Sequence, residues 1–214
     1  MARNVKNPSN FATYEIEEEV WEEGYKYVVG VDEVGRGPGA GPVVAAAVRI
    51  PKKYLTRYAG RLKDSKKLTE NKRDNWYEQI TEECPWAIGR VDNDMIDSIN
   101  ILQATKMAME IAVNQMKHVD YLLIDGPIRL NLNIPQRPII KGDTKSISIA
   151  AASIVAKATR DEEMRMLHWL HPQYNWIRNK GYLTQEHIEA IQTYGITNYH
   201  RTSFRKVGDY IGQR

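Results

Sequence analysis

The chain predicts an α/β fold: a mixed β-sheet flanked by helices, followed by a C-terminal helical region. Two observations carry this. Two apolar, β-rich runs come first with only a glycine-rich loop between them, so they can pair directly. After them, strand-like and helix-like segments alternate, the order that builds parallel strands with helices packed on the sheet. The bulk numbers agree. A chain of 214 residues with 42% hydrophobic content suits one globular domain with a substantial core.

Residues 1–10 are polar and carry Pro8, and are expected to fray. Tyr14 to Glu23 places Ile16, Val20 and Trp21 at helical spacing among acids, a short amphipathic helix. Tyr27 to Asp32 (YVVGVD) reads as a buried strand ending at a glycine-rich loop, Gly35 to Gly41. Val43 to Ile50 (VVAAAVRI) is a second strand, closed by Pro51. Asp64 to Glu82 is a charged surface helix ended at Cys84–Pro85, because proline cannot continue a helix. Trp86 to Val91 suits a third strand. Asp94 to Lys117 is a longer helix with Ile101, Ala104, Ala108, Ile111 and Ala112 on one face. Tyr121 to Asp125 (YLLID) is a continuous apolar run ending in an acid, a buried parallel strand. Ile139–Ile140 belongs to another short one. Lys145 to Leu170 is a strong helix whose middle, Ile149 to Ala156, is small and apolar and can lie very close to its neighbour. Leu183 to Tyr194 is the last clear helix, with Gly195 as its C-cap. The expected division is an N-terminal extension at 1–26, a core at 27–170 and a helical region at 171–214.

Composition bounds the function. The formal net charge of +3 permits a polyanionic partner without demanding one. Cys84 is the single cysteine, which excludes an intrachain disulfide and a four-cysteine zinc site and suits a reducing compartment. No apolar run approaches the roughly 20 residues of a membrane span, and Met1 to Asn10 lacks the apolar core of a signal peptide. A soluble, cytoplasmic protein is expected.

The chemistry points to carboxylates. Asp32 and Glu33 end the first strand, Asp125 ends the YLLID strand, and Asp143 follows Pro138–Lys141 and precedes a helix. Functional groups of open α/β sheets gather at strand ends. Three neighbouring ends would bring these four acids together, where they repel and resist full ionisation. A hard divalent cation relieves that conflict, since it prefers oxygen ligands. Taken singly, each acid has a plainer explanation: a turn at Asp32–Glu33 or Asp125–Gly126, a helix N-cap at Asp143. Spacing alone leaves these open.

Local strings go further. YVVGVDEVGRGPGAGPVVAAAV at 27–48 closely resembles the opening motif of the type 2 ribonucleases H, the ribonuclease HII family. DSKKLT at 64–69, LLIDG at 122–126, KGDTKSISIAAASIVAKATRD at 141–161, NKGYLTQEH at 179–187 and HRTSF at 200–204 continue the resemblance in order. It spans nearly all of residues 27–207.

The resemblance implies a ribonuclease H-like sheet and two divalent ions, Mg²⁺ or Mn²⁺, held by Asp32, Glu33, Asp125 and Asp143 as catalytic and metal-binding residues. It implies hydrolysis of the RNA strand of RNA–DNA hybrids and cutting 5′ to ribonucleotides embedded in duplex DNA, leaving 3′-hydroxyl and 5′-phosphate ends. Gly35, Arg36 and Gly37 match the loop that contacts the ribonucleotide; glycines there let backbone groups approach a 2′-hydroxyl. Tyr182 matches a tyrosine that packs on the following deoxyribose. Ser65, Lys66 and Lys67 match a segment near the nucleic-acid backbone, where lysines neutralise phosphates. Lys141, Ser153 and Arg201 are weaker candidates for substrate contact or site support, and Asp161 for a supporting role. A monomer is implied. Three places depart from the family pattern: Gly39 stands where a larger apolar residue is usual, Leu183 where proline is usual, and Ile196 to Tyr199 lacks the usual proline. The first two suggest a looser loop rim and a shifted Tyr182. The rival readings are a ribonuclease HIII-like hybrid nuclease, disfavoured by the roughly 26 residues before the first strand, and a non-catalytic hybrid-binding module, disfavoured by the presence of all four acids.

Overall fold

A computed structural model describes residues 11–62, 65 and 68–210. Residues 1–10, with their expected fraying, and Asp64, Lys66 and Lys67 of the DSKKL segment lie outside the described residues. Helix α1 (Glu15–Glu22) precedes strands β1 (Val28–Val34) and β2 (Val43–Val48). Short helix α2 (Leu55–Tyr58) and helix α3 (Glu70–Glu83) lead to β3 (Trp86–Val91) and α4 (Asn93–Asn114). Strands β4 (Tyr121–Asp125) and β5 (Gln136–Ile139) follow, then α5 (Ile147–Leu170). The C-terminal region carries α6 (Trp176–Asn179), α7 (Gln185–Tyr194) and α8 (Arg205–Gly208).

The five strands form one mixed sheet in the order β3-β2-β1-β4-β5. β1 pairs antiparallel with β2 and parallel with β4, and β5 adds in parallel beyond β4. The direct β1–β2 pairing is what the intervening loop allows. The parallel β1–β4 pair needs a crossover, which the segment ending in α4 supplies, whereas β4 and β5 are joined by residues 126–135 alone.

Each face of the sheet buries a helix. On one, Ala104, Ala108 and Ala112 of α4 pack with Val29, Val31, Ala45 and Ala47. On the other, Ile147, Ala150, Ala151, Ile154 and Val155 of α5 pack with Ala46, Val48 and Tyr58. Small residues bring both helices close. A methyl on Gly30 would lie 2.2 Å from the Ser148 carbonyl carbon, and one on Gly89 would lie 1.8 Å from the Ala108 carbonyl oxygen. The small, apolar middle of α5 therefore does what its composition predicted.

Several boundaries differ from the sequence reading. The helix expected from Asp64 begins only at Glu70. Helix α4 is broken at Asn100, whose φ of 67° is left-handed. The Asn100 side chain accepts hydrogen bonds from the amides of Leu102 and Gln103, so it caps the second part of the helix. An asparagine tolerates this backbone and supplies the cap, a combination that apolar periodicity does not register. The strand at Ile139–Ile140 is instead Gln136–Ile139.

Candidate metal centre and nucleic-acid groove

Strands β1 and β4 are neighbours, so the acids they carry meet, and β5 lies beside β4. The pairing explains how. β1 and β4 pair through Val31 with Ile124, and β1 continues to Val34 along β2. Asp32 and Glu33 thus sit inside β1, just beyond the last β1–β4 pair, rather than at its end. Asp125 is the last residue of β4. Asp32, Glu33 and Asp125 each offer a carboxylate oxygen, all within 4.8 Å of one another.

Asp143 stands outside that tight group and beside it. It lies in a one-turn 3-10 segment, Gly142–Thr144, after Lys141 in a left-handed conformation. The amide of Gly142 donates to Asp125 Oδ1 at 2.6 Å, which ties this turn to the acid cluster. Asp143 is not the N-cap of α5; Ser146 is, accepting from the Ile149 amide.

Electrostatics match the crowding. Burial pushes Asp32 well above the usual carboxylate range, and Glu33 and Asp125 push it further. Burial also raises Glu33, opposed by Arg36, whose guanidinium lies 3.4 Å away. Asp32 Oδ1 accepts the Glu33 amide at 2.7 Å, and the Ser153 hydroxyl bonds the same carboxylate. Three closely placed oxygen donors, two of them reluctant to ionise alone, fit a hard divalent cation.

Ser65 is buried, and its hydroxyl lies 2.9 Å from that of Ser153. A chain of hydroxyls therefore runs Ser65–Ser153–Asp32. In this structure Ser65 faces the acid cluster's support and is 2% exposed. Asp161 is likewise internal, paired with Arg73 at 3.1 Å and Lys157 at 2.6 Å, as a supporting residue would be. Lys141 is exposed, while Arg201 is wholly buried.

A groove of roughly 400 Å³ adjoins the acids, lined by Glu33, Val34, Gly35, Arg36, Gly37, Ile101 and Tyr182. Tyr182 is half exposed there, and its ring would stand 3.2 Å from a methyl on Gly37. Ile101 enters because the break at Asn100 starts the second part of α4 beside the groove. Ile101 also packs against the core under α4, as its spacing predicts, and no sequence signal marks its second place on the groove wall. Tyr182 is held from behind: its carbonyl lies 2.9 Å from His187 Nδ1, and His187 Nε2 lies 3.1 Å from His200 Nε2.

The two family departures at Gly39 and Leu183 turn out to be one feature. A methyl on Gly39 would sit 2.7–2.8 Å from Leu183 Cγ, Cδ1 and Cδ2. The larger side chain of one occupies the space left by the other. The expected loosening of the loop rim is therefore not seen; the Gly39 amide also donates to the Gly181 carbonyl at 2.9 Å.

A five-stranded mixed sheet in this order, with oxygen donors gathered at adjacent strand ends, defines a ribonuclease H-like protein equipped for a divalent cation. Comparison with known proteins narrows the class. The ribonuclease HII family profile matches residues 29–207. Ribonuclease HII of Syntrophus aciditrophicus is 50% identical over 191 residues, 88% of this chain and 89% of that protein. Ribonuclease HII of Acetivibrio thermocellus is 52% identical over 192 residues, 89% of this chain and 74% of that one. The crystal structure of ribonuclease H2 from Pyrococcus horikoshii OT3 superposes with a TM-score of 0.75 at 24% identity, covering 86% of this chain and 97% of that chain. Bst-RNase HIII in complex with Mn²⁺ has a TM-score of 0.68 at 20% identity, covering 88% and 71%. The chain belongs to the ribonuclease HII family and is a type 2 ribonuclease H.

Proposed function

We propose that this enzyme hydrolyses the RNA strand of RNA–DNA hybrids and also cuts 5′ to single ribonucleotides embedded in duplex DNA, leaving 3′-hydroxyl and 5′-phosphate ends. One observation carries the reading: the groove that holds the glycine–arginine–glycine loop and Tyr182 opens directly beside the carboxylate cluster, with Glu33 common to both. A group that distinguishes RNA from DNA then sits next to the group that cuts.

Asp32, Glu33, Asp125 and Asp143 are the residues that would hold two divalent ions, Mg²⁺ or Mn²⁺. Such ions supply a nucleophilic hydroxide at neutral pH and neutralise charge on the phosphate. The protein's own groups do the rest. Ser153 and the Glu33 amide orient Asp32, and the Gly142 amide orients Asp125. Gly35 and Gly37 let the backbone approach the ribose, and Arg36 adds a donor for ribose or phosphate. Tyr182 presents a ring for the deoxyribose that follows. Ser65 contributes through Ser153, and Lys66 and Lys67 neutralise phosphates.

In this reading residues 27–170 form the catalytic core, 1–26 an N-terminal extension, and 171–214 the region that brings Tyr182 to the groove. The enzyme acts as a cytoplasmic monomer on hybrids and ribonucleotide-containing duplexes. Among the described residues, no helix is long and apolar enough to cross a membrane.

The test is cleavage of a labelled DNA duplex carrying one ribonucleotide, beside an all-RNA strand in a hybrid, with Mg²⁺, Mn²⁺ or chelator. Metal-dependent cutting 5′ to the single ribonucleotide is expected, with Asp143→Asn nearly inactive but folded by circular dichroism. Tyr182→Ala should lose most on the single-ribonucleotide duplex. Cutting of the long hybrid alone would leave a ribonuclease HIII-like activity, and cutting of neither would leave a binding module.

A further inference from the structure

Two buried arginines hold the ribonucleotide-facing loop from behind. Arg201, wholly buried, donates from Nη2 to the Gly35 carbonyl at 2.7 Å, from Nη1 to the Arg36 carbonyl at 3.2 Å and from Nε to the Gly41 carbonyl at 2.9 Å. Arg160, 1% exposed, donates from Nε to the Pro42 carbonyl at 2.9 Å, from Nη2 to the Ala40 carbonyl at 3.2 Å and from Nη1 to the Lys180 carbonyl at 3.0 Å. Among the described residues neither guanidinium forms an ion pair. Burying a cation without a direct ion pair is costly, and apolar side chains of similar volume commonly serve stability as well or better. Two such cations behind one loop call for a reason beyond packing.

Peptide geometry supplies it. In a trans peptide the C=O and N–H point in opposite directions, and the described residues contain no cis bond. With the Gly35 and Arg36 carbonyls turned inward to Arg201, the amides of Arg36 and Gly37 point outward. Neither donates to a protein acceptor among the described residues. The left-handed φ of 93° at Gly35 permits the turn that presents them. Arg160 couples the same loop to the strand of backbone carrying Tyr182, because it grips Ala40 and Lys180 together.

We propose that Arg201 and Arg160 are positioning residues for ribonucleotide recognition: by fixing six backbone carbonyls they aim the Arg36 and Gly37 amides at a ribose 2′-hydroxyl and set the spacing of that loop from Tyr182. The proposal rests on the junction-reading function proposed above. It assigns the guanidiniums no contact with substrate. Burial lowers both arginines, Arg201 to about 9 and Arg160 to about 10, so both stay charged at neutral pH and keep all their donors.

Arg201→Lys tests it. Lysine keeps the charge but replaces a planar fork by a single ammonium, which cannot hold three carbonyls in a fixed frame. A hybrid presents many overlapping ribonucleotides, whereas an embedded ribonucleotide presents one 2′-hydroxyl. The variant should therefore lose about 10- to 100-fold in kcat/KM on the single-ribonucleotide duplex, mainly through KM. On the long hybrid it should stay within a few-fold of wild type. Equal losses on both substrates, or an unchanged ratio with a lowered melting temperature, would make the arginine merely structural and overturn the proposal. If Arg201→Lys does not fold, Arg160→Lys reads the same ratio; failure of both to fold also assigns the pair to stability alone. A wild type that does not cut the single-ribonucleotide duplex sinks the parent reading instead, and that outcome is visible without any variant.

Discussion

Replacing Gly30 by alanine should damage the carboxylate cluster from two residues back along the same strand face. Gly30 lies in the middle of β1, between Val48 of β2 and Leu123 of β4, so it cannot move away in the sheet plane. Its added methyl would meet the Ser148 carbonyl carbon at 2.2 Å, the Ile149 amide nitrogen at 2.4 Å and the Ser148 oxygen at 2.5 Å. These are backbone atoms, so no rotamer change relieves the clash. Opening 2.2 Å to an ordinary 3.4 Å demands a shift of α5 by about 1.2 Å. Overpacking of this kind costs about 1–3 kcal/mol, and the rigid neighbour puts it near the upper figure. For a chain of this size, about 3 kcal/mol lowers the melting temperature by roughly 6–12 °C. Gly30 and Asp32 share a strand face, and Ser153, which bonds Asp32, lies five residues along α5 from Ser148. A displacement of about 1 Å there should cost roughly 100-fold in kcat. Urea unfolding with a constant m-value and a Mg²⁺-dependent cleavage assay measure the two effects. Gly60→Ala is the control: φ is 70° and nothing lies within 4 Å, so only the left-handed backbone cost of about 1 kcal/mol applies. A Gly30→Ala protein no less stable than that control would refute the packing argument. Lost stability with wild-type kcat would refute the link to Asp32.

Two more predictions follow from buried contacts. Glu17 is 1% exposed, accepts from the Ser146 hydroxyl at 2.6 Å and the Ser148 amide at 3.0 Å, and has no partner for Oε2 among the described residues. Burial raises its pKa above 4.5, so the folded state holds the proton more tightly, and stability is lost as pH rises through the folded pKa. Glu17→Gln should match wild type in urea midpoint near pH 4 and exceed it at pH 8; a gap that stays constant across that range would contradict the assigned cause. Gly39 and Leu183 should be energetically coupled: Gly39→Ala should cost more with Leu183 present than in a Leu183→Ala background, by at least about 0.5 kcal/mol in a double-mutant cycle. Additivity would show that the two departures from the family pattern are independent.

How far the sequence reaches varies from residue to residue. β3 and β4 are found at the bounds their composition predicts, Trp86–Val91 and Tyr121–Asp125, because continuous or alternating apolar runs report burial directly. Asp32, Glu33 and Asp125 are legible as acids that close apolar runs, although β1 continues past the first two to Val34, and the local strings place Gly35 to Gly37 and Tyr182 in one family pattern. Asn100 was not legible, because a capped break inside an apolar helix leaves the periodicity intact. Ile101 packs against the core as its periodicity predicts, and only its added place on the groove wall follows from that break. The family resemblance puts Ser65 in a segment near the nucleic-acid backbone, and only the fold shows its hydroxyl meeting that of Ser153.

The sequence alone therefore determined the class of fold, the family and the acids Asp32, Glu33 and Asp125 that the fold draws together, since these depend on residue type and on order along the chain. The tertiary structure decided which groups meet across large separations: Ser65 with Ser153, Glu17 with Ser146, Gly39 with Leu183, and Arg201 with Gly35. Such pairings depend on where side chains and backbone carbonyls point once the helices have closed on the sheet. A carbonyl's direction is set by backbone dihedrals and packing, and every residue carries the same carbonyl, so no pattern of side chains marks the six that the two arginines hold.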